Sequence, residues 1–336
     1  MALPMALRAR RAELLLLAGS VVVFIGFAEA AVRLLRADRP APTGYAPVNT
    51  NRRAMRPQNS HAYRDRERAP GKPAGVHRVV SLGDSFAWGA SVEFEDAYPQ
   101  RLERGLARRR GEPWEVVSLA LPGMNTVDQA AQLAGEGFDY APDAVLLGYV
   151  LNDSEDSQAA ETRRAEDWVR AREARPRWYD RSALFRLVGA RLHATAENRR
   201  RIAGYRSMYA ADAPGWIASR DALHRMGALC RERGVPFVVA VFPLFGNPLD
   251  EGYPFAEVHA TVAAAASAAG ARVVDLLPVY RGLRSDLLVV DGADDEHPNE
   301  IAHRLAAGAM LKVLDEVVPR SGPPSADPDD APSPRP

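Results

Sequence analysis

The sequence predicts an α/β fold built on a parallel sheet that is covered on both faces. Continuous apolar runs recur through the chain, as in Val79-Val80-Ser81-Leu82, Val116-Val117, Ala144-Val145-Leu146-Leu147 and Phe237-Val238-Val239-Ala240-Val241. Strands buried on both faces read this way, whereas half-exposed strands alternate. Amphipathic helical stretches separate the runs, which is the rhythm of strand–helix–strand units. The first three runs are followed directly by Gly83, Ser118 and Gly148, residues suited to loops at the carboxyl ends of strands.

The elements follow in order. Arg8, Arg10 and Arg11 precede an apolar stretch from Leu14 to Leu35, interrupted by Glu29. A basic flank before an apolar segment is an export signal. In one reading Ala28-Glu29-Ala30 is a small-x-small cleavage site and residues 1–36 are a signal peptide. In the other they stay as a signal anchor, with the basic end in the cytoplasm. Residues 37–76 are rich in Pro, Arg and Asn and lack a helical or strand period, so an extended tether is expected. The α/β domain is expected over 77–319, with strands ending near Gly83, Leu119, Tyr149, Phe242 and Leu276. Helices are expected near 97–110, 127–136, 217–233, 255–269 and 299–318. A helical insertion, about 154–216, breaks the rhythm and carries Trp168, Trp178, Tyr179, Phe185, Tyr205 and Tyr209. Its place after a candidate site loop suits a substrate-facing lid. The Pro-, Asp- and Ser-rich stretch 320–336 is expected to be a disordered tail.

Composition narrows the function. Among 336 residues, 43 basic and 43 acidic side chains balance, so no charge excess favours nucleic acid. Lysine occurs only at Lys72 and Lys312, a compositional bias toward arginine. The single cysteine, Cys230, cannot form an internal disulfide and reads as a buried thiol.

The chemistry-bearing stretch is Gly83-Asp84-Ser85, where an apolar strand delivers a serine to the edge of the sheet. Serine catalysis needs a base, a group that orients the base, and donors for an oxyanion. Asp294 and His297 lie three apart just before the last helix, so a turn can bring the carboxylate onto the ring Nδ1. Asp221 and His224 share that spacing, but inside an amphipathic helix, where it gives a surface pair. Gly123 follows the second strand and lets a backbone N–H approach a substrate. Asn152 follows the third strand and offers a side-chain amide. All these residues follow strands at the carboxyl edge, where open α/β sheets place their ligands. The Gly-x-Ser-x-Gly elbow of another hydrolase fold is absent, because Ala87 stands at its last position. Asp291, Asp294, Asp295, Glu296 and His297 could together face a metal, but no second His or Cys stands nearby. No metal or other cofactor is expected.

In these blocks and their order, the chain resembles the SGNH (GDSL) hydrolase family. The match is carried by Gly83-Asp84-Ser85, Gly123, Asn152 and Asp294-x-x-His297, within about His77 to Val318. Phe86 stands where the family name has leucine. The resemblance implies a flavodoxin-like three-layer α/β/α sandwich with a five-stranded parallel sheet in the order 2-1-3-4-5. It implies Ser85 as nucleophile, His297 as base and Asp294 as its orienter. The oxyanion hole would be the Ser85 and Gly123 N–H groups and the Asn152 side chain. The expected activity is hydrolysis of acyl esters, with extracytoplasmic glycans or lipids as carriers and the membrane as a partner. The same residues would serve an O-acyltransferase acting on a sugar hydroxyl, and a non-catalytic glycan-binding domain could keep the fold.

Overall fold

The computed structural model describes residues 5–35, 59–90, 92–155, 181–290 and 296–318. Part of the expected tether, the aromatic residues Trp168, Trp178 and Tyr179, the acidic residues Asp291, Asp294 and Asp295, and the C-terminal tail lie outside them. The chain divides into two units, one of residues 1–46 with 158–205, the other of 47–157 with 206–336.

In chain order the elements are α1 (Met5–Leu35), β1 (His77–Gly83), α2 (Ser85–Trp88), α3 (Tyr98–Arg110), β2 (Trp114–Ser118), α4 (Thr126–Gly135) and β3 (Ala144–Tyr149). Then come α5 (Ala183–Met208), α6 (Pro214–Glu232), β4 (Phe237–Val241), α7 (Ala256–Ala268), β5 (Arg272–Asp275), α8 (Leu277–Tyr280) and α9 (Glu300–Val317). Each strand and each helix predicted in the α/β domain is present within a few residues of its expected bounds.

The larger unit is the α/β sandwich. Its five parallel strands pair in the order β2-β1-β3-β4-β5. Helices α3 and α9 pack together on one face, and α4, α6 and α7 on the other. The apolar runs account for the centre. Val79, Val80, Leu82, Val145, Leu146, Leu147, Val238, Val239 and Val241 are fully buried, each stabilising the fold by roughly 1.5–3 kcal/mol relative to exposure. Local chemistry sets the helix ends. Pro99 sits in the first turn of α3, and Gly111 ends that helix in a left-handed conformation. Asn125 and Asp128 form a reciprocal capping box at the start of α4. Asn299 caps α9 by accepting from the Ile301 and Ala302 N–H groups.

Register aligns the site. Gly83 of β1 stands opposite Gly148 of β3, so the loops after both strands leave the sheet at one edge. Gly148 admits no side chain, because a Cβ there would overlap the Tyr98 hydroxyl.

Residues 59–76, the described part of the expected extended tether, are tied to the sheet. Residues 59–76 contain no helix or strand, yet Tyr63, Arg64 and Asp65 are buried. The Asp65 carboxylate accepts from the Ser118 N–H at 2.9 Å, at the end of β2. Arg64 donates to the Trp88, Gly89 and Val92 carbonyls. Composition flags such a polar stretch as loop, but burial comes from partners far along the chain.

The smaller unit contains α1 and α5 up to Tyr205. The apolar part of α1, Glu13–Leu35, has a mean hydropathy of 2.2 and is almost entirely exposed.

Candidate active site

Ser85 opens α2 directly after β1, and Asp84 is that helix's N-cap, its Oδ1 accepting from the Phe86 N–H at 2.9 Å. The sequence places the serine at the end of a strand, and the structure gives it the first position of a short helical turn. This turn results from the Asp84 cap and from Gly89, which ends it in the left-handed region.

His297 reaches the same point from 212 residues away, with its Nε2 at 2.8 Å from the Ser85 Oγ. Its backbone is held on both sides. The Val290 N–H donates to the His297 carbonyl at 3.1 Å, and Val289 bridges to Pro298. Asn299, one step on, donates from Nδ2 to the Leu287 carbonyl at 2.8 Å while capping α9. The imidazole lies 5.6 Å from the Phe86 ring, tilted against it. Phe86 rests in turn on Phe242 and Phe245. The ring is thus fixed by an aromatic wall below and a capped helix behind.

Asn152 lies in the turn after β3. The Asp153 N–H donates to the Val150 carbonyl, and the Asp153 carbonyl accepts from the Thr126 N–H and hydroxyl, both at 3.0 Å. Asn125 donates to the Glu155 carbonyl at 3.1 Å, so the turn is tied to the start of α4. The Asn152 Nδ2 faces the Asp84 Oδ2 at 3.5 Å, and the same oxygen stands 3.4 Å from the Ser85 Oγ. Asp84 therefore links the serine to the amide. Gly123 sits in the exposed turn after β2, on the same sheet edge, with φ +84°, a conformation that favours glycine. Asp294 lies outside the described residues. Glu296 turns its carboxylate toward Gly246, where an added Cβ would collide with it.

Two residues of this centre escaped the sequence reading. Burial pushes the Asp84 carboxyl up, partly offset by the Phe86 N–H and the His297 ring. Asp153 is pushed well above the usual carboxylate range by burial and by the neighbouring Asp84. Burial disfavours the charged form of both carboxyls, and at Asp153 the Asp84 charge adds to it. Helix-capping rules applied to Asp84, directly before Ser85, would have given its position, but nothing local marks Asp153 as buried.

Other titratable groups are excluded by their surroundings. His303 is fully buried, its pKa is driven down to about 3 by burial, and its Nδ1 accepts from the Tyr98 N–H. His259 pairs with Asp275 at 2.8 Å, but its other nitrogen faces the Tyr253 hydroxyl. That hydroxyl accepts from the Leu244 N–H, which makes it a structural strut. Among the described residues no group of three or more His, Cys, Asp and Glu side chains could hold a metal ion. A cleft of about 410 Å³ opens between Asn125, Asp153, Glu155 and Pro214. Neither Ser85 nor His297 lines it, so it is separate from the serine–imidazole contact.

A hydroxyl at 2.8 Å from an imidazole nitrogen, beside a buried carboxylate and a side-chain amide, can deprotonate and attack an electrophilic carbon.

Comparison with known proteins bears on the same residues. The model of the GDSL-like lipase/acylhydrolase family matches residues 81–305, more than half of the chain and a span that includes Ser85, Gly123, Asn152 and His297. No curated protein matches. Solved structures with a similar course include TesA, at 14% identity, covering 72% of this chain and 99% of that one, with a TM-score of 0.44. The psychrotrophic esterase EstA from Pseudoalteromonas sp. is 12% identical, over 71% of this chain and 97% of its own, with a TM-score of 0.41. The lipase/acylhydrolase from Enterococcus faecalis is 15% identical, over 74% and 100%, with a TM-score of 0.42. With the family model matched across most of the sandwich and its blocks at one sheet edge, the chain belongs to the GDSL-like lipase/acylhydrolase family and is an ester hydrolase of that family.

Proposed function

We propose that Ser85 is the nucleophile and His297 its general base in an exported, membrane-anchored serine esterase whose substrates are O-acyl groups on extracytoplasmic glycans. The observation that carries the chemistry is the 2.8 Å contact between Ser85 Oγ and His297 Nε2. With Nδ1 protonated, Nε2 accepts the serine proton as Oγ bonds to the ester carbon. The charge that develops on the carbonyl oxygen is taken up by the Ser85 and Gly123 N–H groups and the Asn152 amide. His297 then gives its proton to the departing alkoxide. Water, deprotonated by the same ring, releases the acid and restores the serine.

Anchoring is supported by the length and character of α1. Its apolar part, 23 residues, spans about 34 Å at 1.5 Å per residue, enough for a hydrocarbon core of about 30 Å. Arg8, Arg10 and Arg11 favour a cytoplasmic N-terminus, which leaves the α/β unit outside. Glu29 favours retention over cleavage, because its carboxylate bonds to Ser182, Ala183 and Leu184, contacts that cutting after Ala30 would remove. The full chain should sediment with membranes and resist carbonate extraction, and it should release acetate from O-acetylated envelope polysaccharide. N-terminal sequencing that begins at Ala31 would overturn the anchor. Turnover of phospholipid esters with none of acetylated glycans would overturn the substrate class.

Asp294 is proposed as the orienter of His297. Asp294→Asn should lower kcat between about tenfold and ten-thousandfold, because the imidazolium loses its compensating charge while a backbone carbonyl can still hold the tautomer. Asp295→Asn and Glu296→Gln should be near neutral, and the Glu296 side chain already turns toward Gly246. Kinetics of the three variants on one activated ester decide it. A selective loss at Asp295 or Glu296, with Asp294→Asn unaffected, would assign the carboxylate elsewhere.

A further inference from the structure

Glu29 is an ionisable residue near the C-terminal end of the apolar stretch of α1, four residues before Arg33. A carboxylate at that depth is costly unless it is paired and hydrogen-bonded. Here it is supplied with donors by one neighbouring segment. It accepts from the Ser182 hydroxyl at 2.7 Å, the Ala183 N–H at 2.8 Å and the Leu184 N–H at 2.7 Å. Arg33, one turn along α1, donates to Glu29 at 2.6 Å and to the Arg181 carbonyl at 3.0 Å. The first turn of α5 is therefore clamped to α1 at the level of Glu29. That level is six residues before Leu35, about 9 Å along the helix axis from the outer end of the apolar stretch.

The start of α5 has the composition for that depth. Ala183–Leu192 reads ALFRLVGARL, whereas Glu197–Arg201 reads ENRRR. Phe185, Val188 and Leu192 are 50%, 45% and 66% exposed. Their i, i+3, i+7 spacing puts them on one stripe of the helix. Such a stripe facing water would be an unpaired apolar surface. Held about 9 Å below the end of a membrane helix, it faces the boundary between headgroups and acyl chains, the layer in which amphipathic helices lie.

We infer that Ala183–Leu192 is a second membrane contact, an interfacial helical segment whose Phe185, Val188 and Leu192 touch acyl chains and whose depth is set by Glu29. The inference rests on the anchoring proposed above. Its partner is the lipid of the outer leaflet. Arg181, just before the segment, carries a guanidinium group suited to headgroup phosphates, the usual arrangement at a membrane surface.

The test uses the full chain with Cys230→Ser, reconstituted in phosphatidylethanolamine–phosphatidylglycerol nanodiscs. Single cysteines at Val22, Val188 or Arg199 carry an environment-sensitive fluorophore, and the lipid carries a doxyl quencher. The expected result is quenching of about twofold or more at Val22 and Val188 and little at Arg199. Adding Glu29→Gln should weaken quenching at Val188 and leave Val22 unchanged. Quenching at Val22 without Val188 would overturn the interfacial segment while leaving the anchor intact. Loss at both positions would overturn the anchor and the segment with it. A Val188 probe shielded from both the lipid quencher and aqueous iodide would show a protein partner instead and overturn the lipid assignment. Unchanged Val188 quenching in the Glu29→Gln chain would remove Glu29 as the depth-setting residue.

Discussion

Ser85→Ala is expected to lower kcat on an activated ester by about a thousandfold or more, and to leave folding intact. The Oγ is the atom His297 meets at 2.8 Å, and no other hydroxyl occupies that position in the described site. Its loss removes covalent catalysis, while the Asn152 amide and the backbone donors remain to support a small residual rate. Stability should change little, because Ser85 is only half-buried and the cap at Asp84 bonds to the Phe86 N–H, not to the serine side chain alone. A fluorophosphonate probe should label the native chain and spare the variant. Near-native turnover in the alanine variant would remove Ser85 from the mechanism.

Arg64→Ala is expected to damage both stability and turnover, although the residue lies outside the span that the family model matches. The guanidinium is buried, and burial pulls its pKa down to about 10. It donates to the Trp88, Gly89 and Val92 carbonyls, and it sits 5.1 Å over the Trp88 ring. These carbonyls close the turn that begins at Ser85. Without Arg64 the Gly89 carbonyl keeps the Val92 N–H, but the Trp88 and Val92 carbonyls lose this donor, which should cost about 3 kcal/mol, since each buried acceptor left unmade costs on the order of 1–3 kcal/mol and the site can partly relax. The turn then loses its brace. A shift of about 1 Å at the serine can cost on the order of a hundredfold in rate, so kcat should fall well below native even at temperatures where the variant is folded. Arg64→Lys should recover the charge but little of the stability, because one ammonium cannot span three carbonyls as a planar guanidinium does. Urea denaturation and kcat measured on the same preparations check this. Wild-type stability and turnover in Arg64→Ala would show that residues 59–76 do not brace the site.

The two cases differ in how far the sequence foretold them. Ser85 was legible because a continuous apolar strand ends in Gly-Asp-Ser, and strand ends in parallel sheets are where side chains meet ligands. The strands themselves were legible for the same reason. Burial on both faces leaves little room for polar residues, so position and type show in a short window. Helix ends were legible where a local rule governs them, as at Asn125 and Asn299. The family resemblance gave the strand order that the hydrogen-bonded pairing then displayed. Arg64 was not legible, because Pro- and Arg-rich sequence is the same whether it runs free or packs against a distant turn.

The sequence by itself thus determined the elements, their order and the candidate residues at the sheet edge, because each depends on neighbours within a few positions. Only the tertiary structure decided which of them meet. It closed 212 residues between Ser85 and His297 to a 2.8 Å contact, and it buried Asp84 and Asp153, which pushes both carboxyls up. It also recruited Arg64 to hold the serine's turn and gave Glu29 its donors from Ser182 to Leu184. The reason is physical. Propensity and periodicity act along the chain, whereas desolvation and hydrogen-bond partnership depend on what packing brings near, and packing is set by the whole sheet at once.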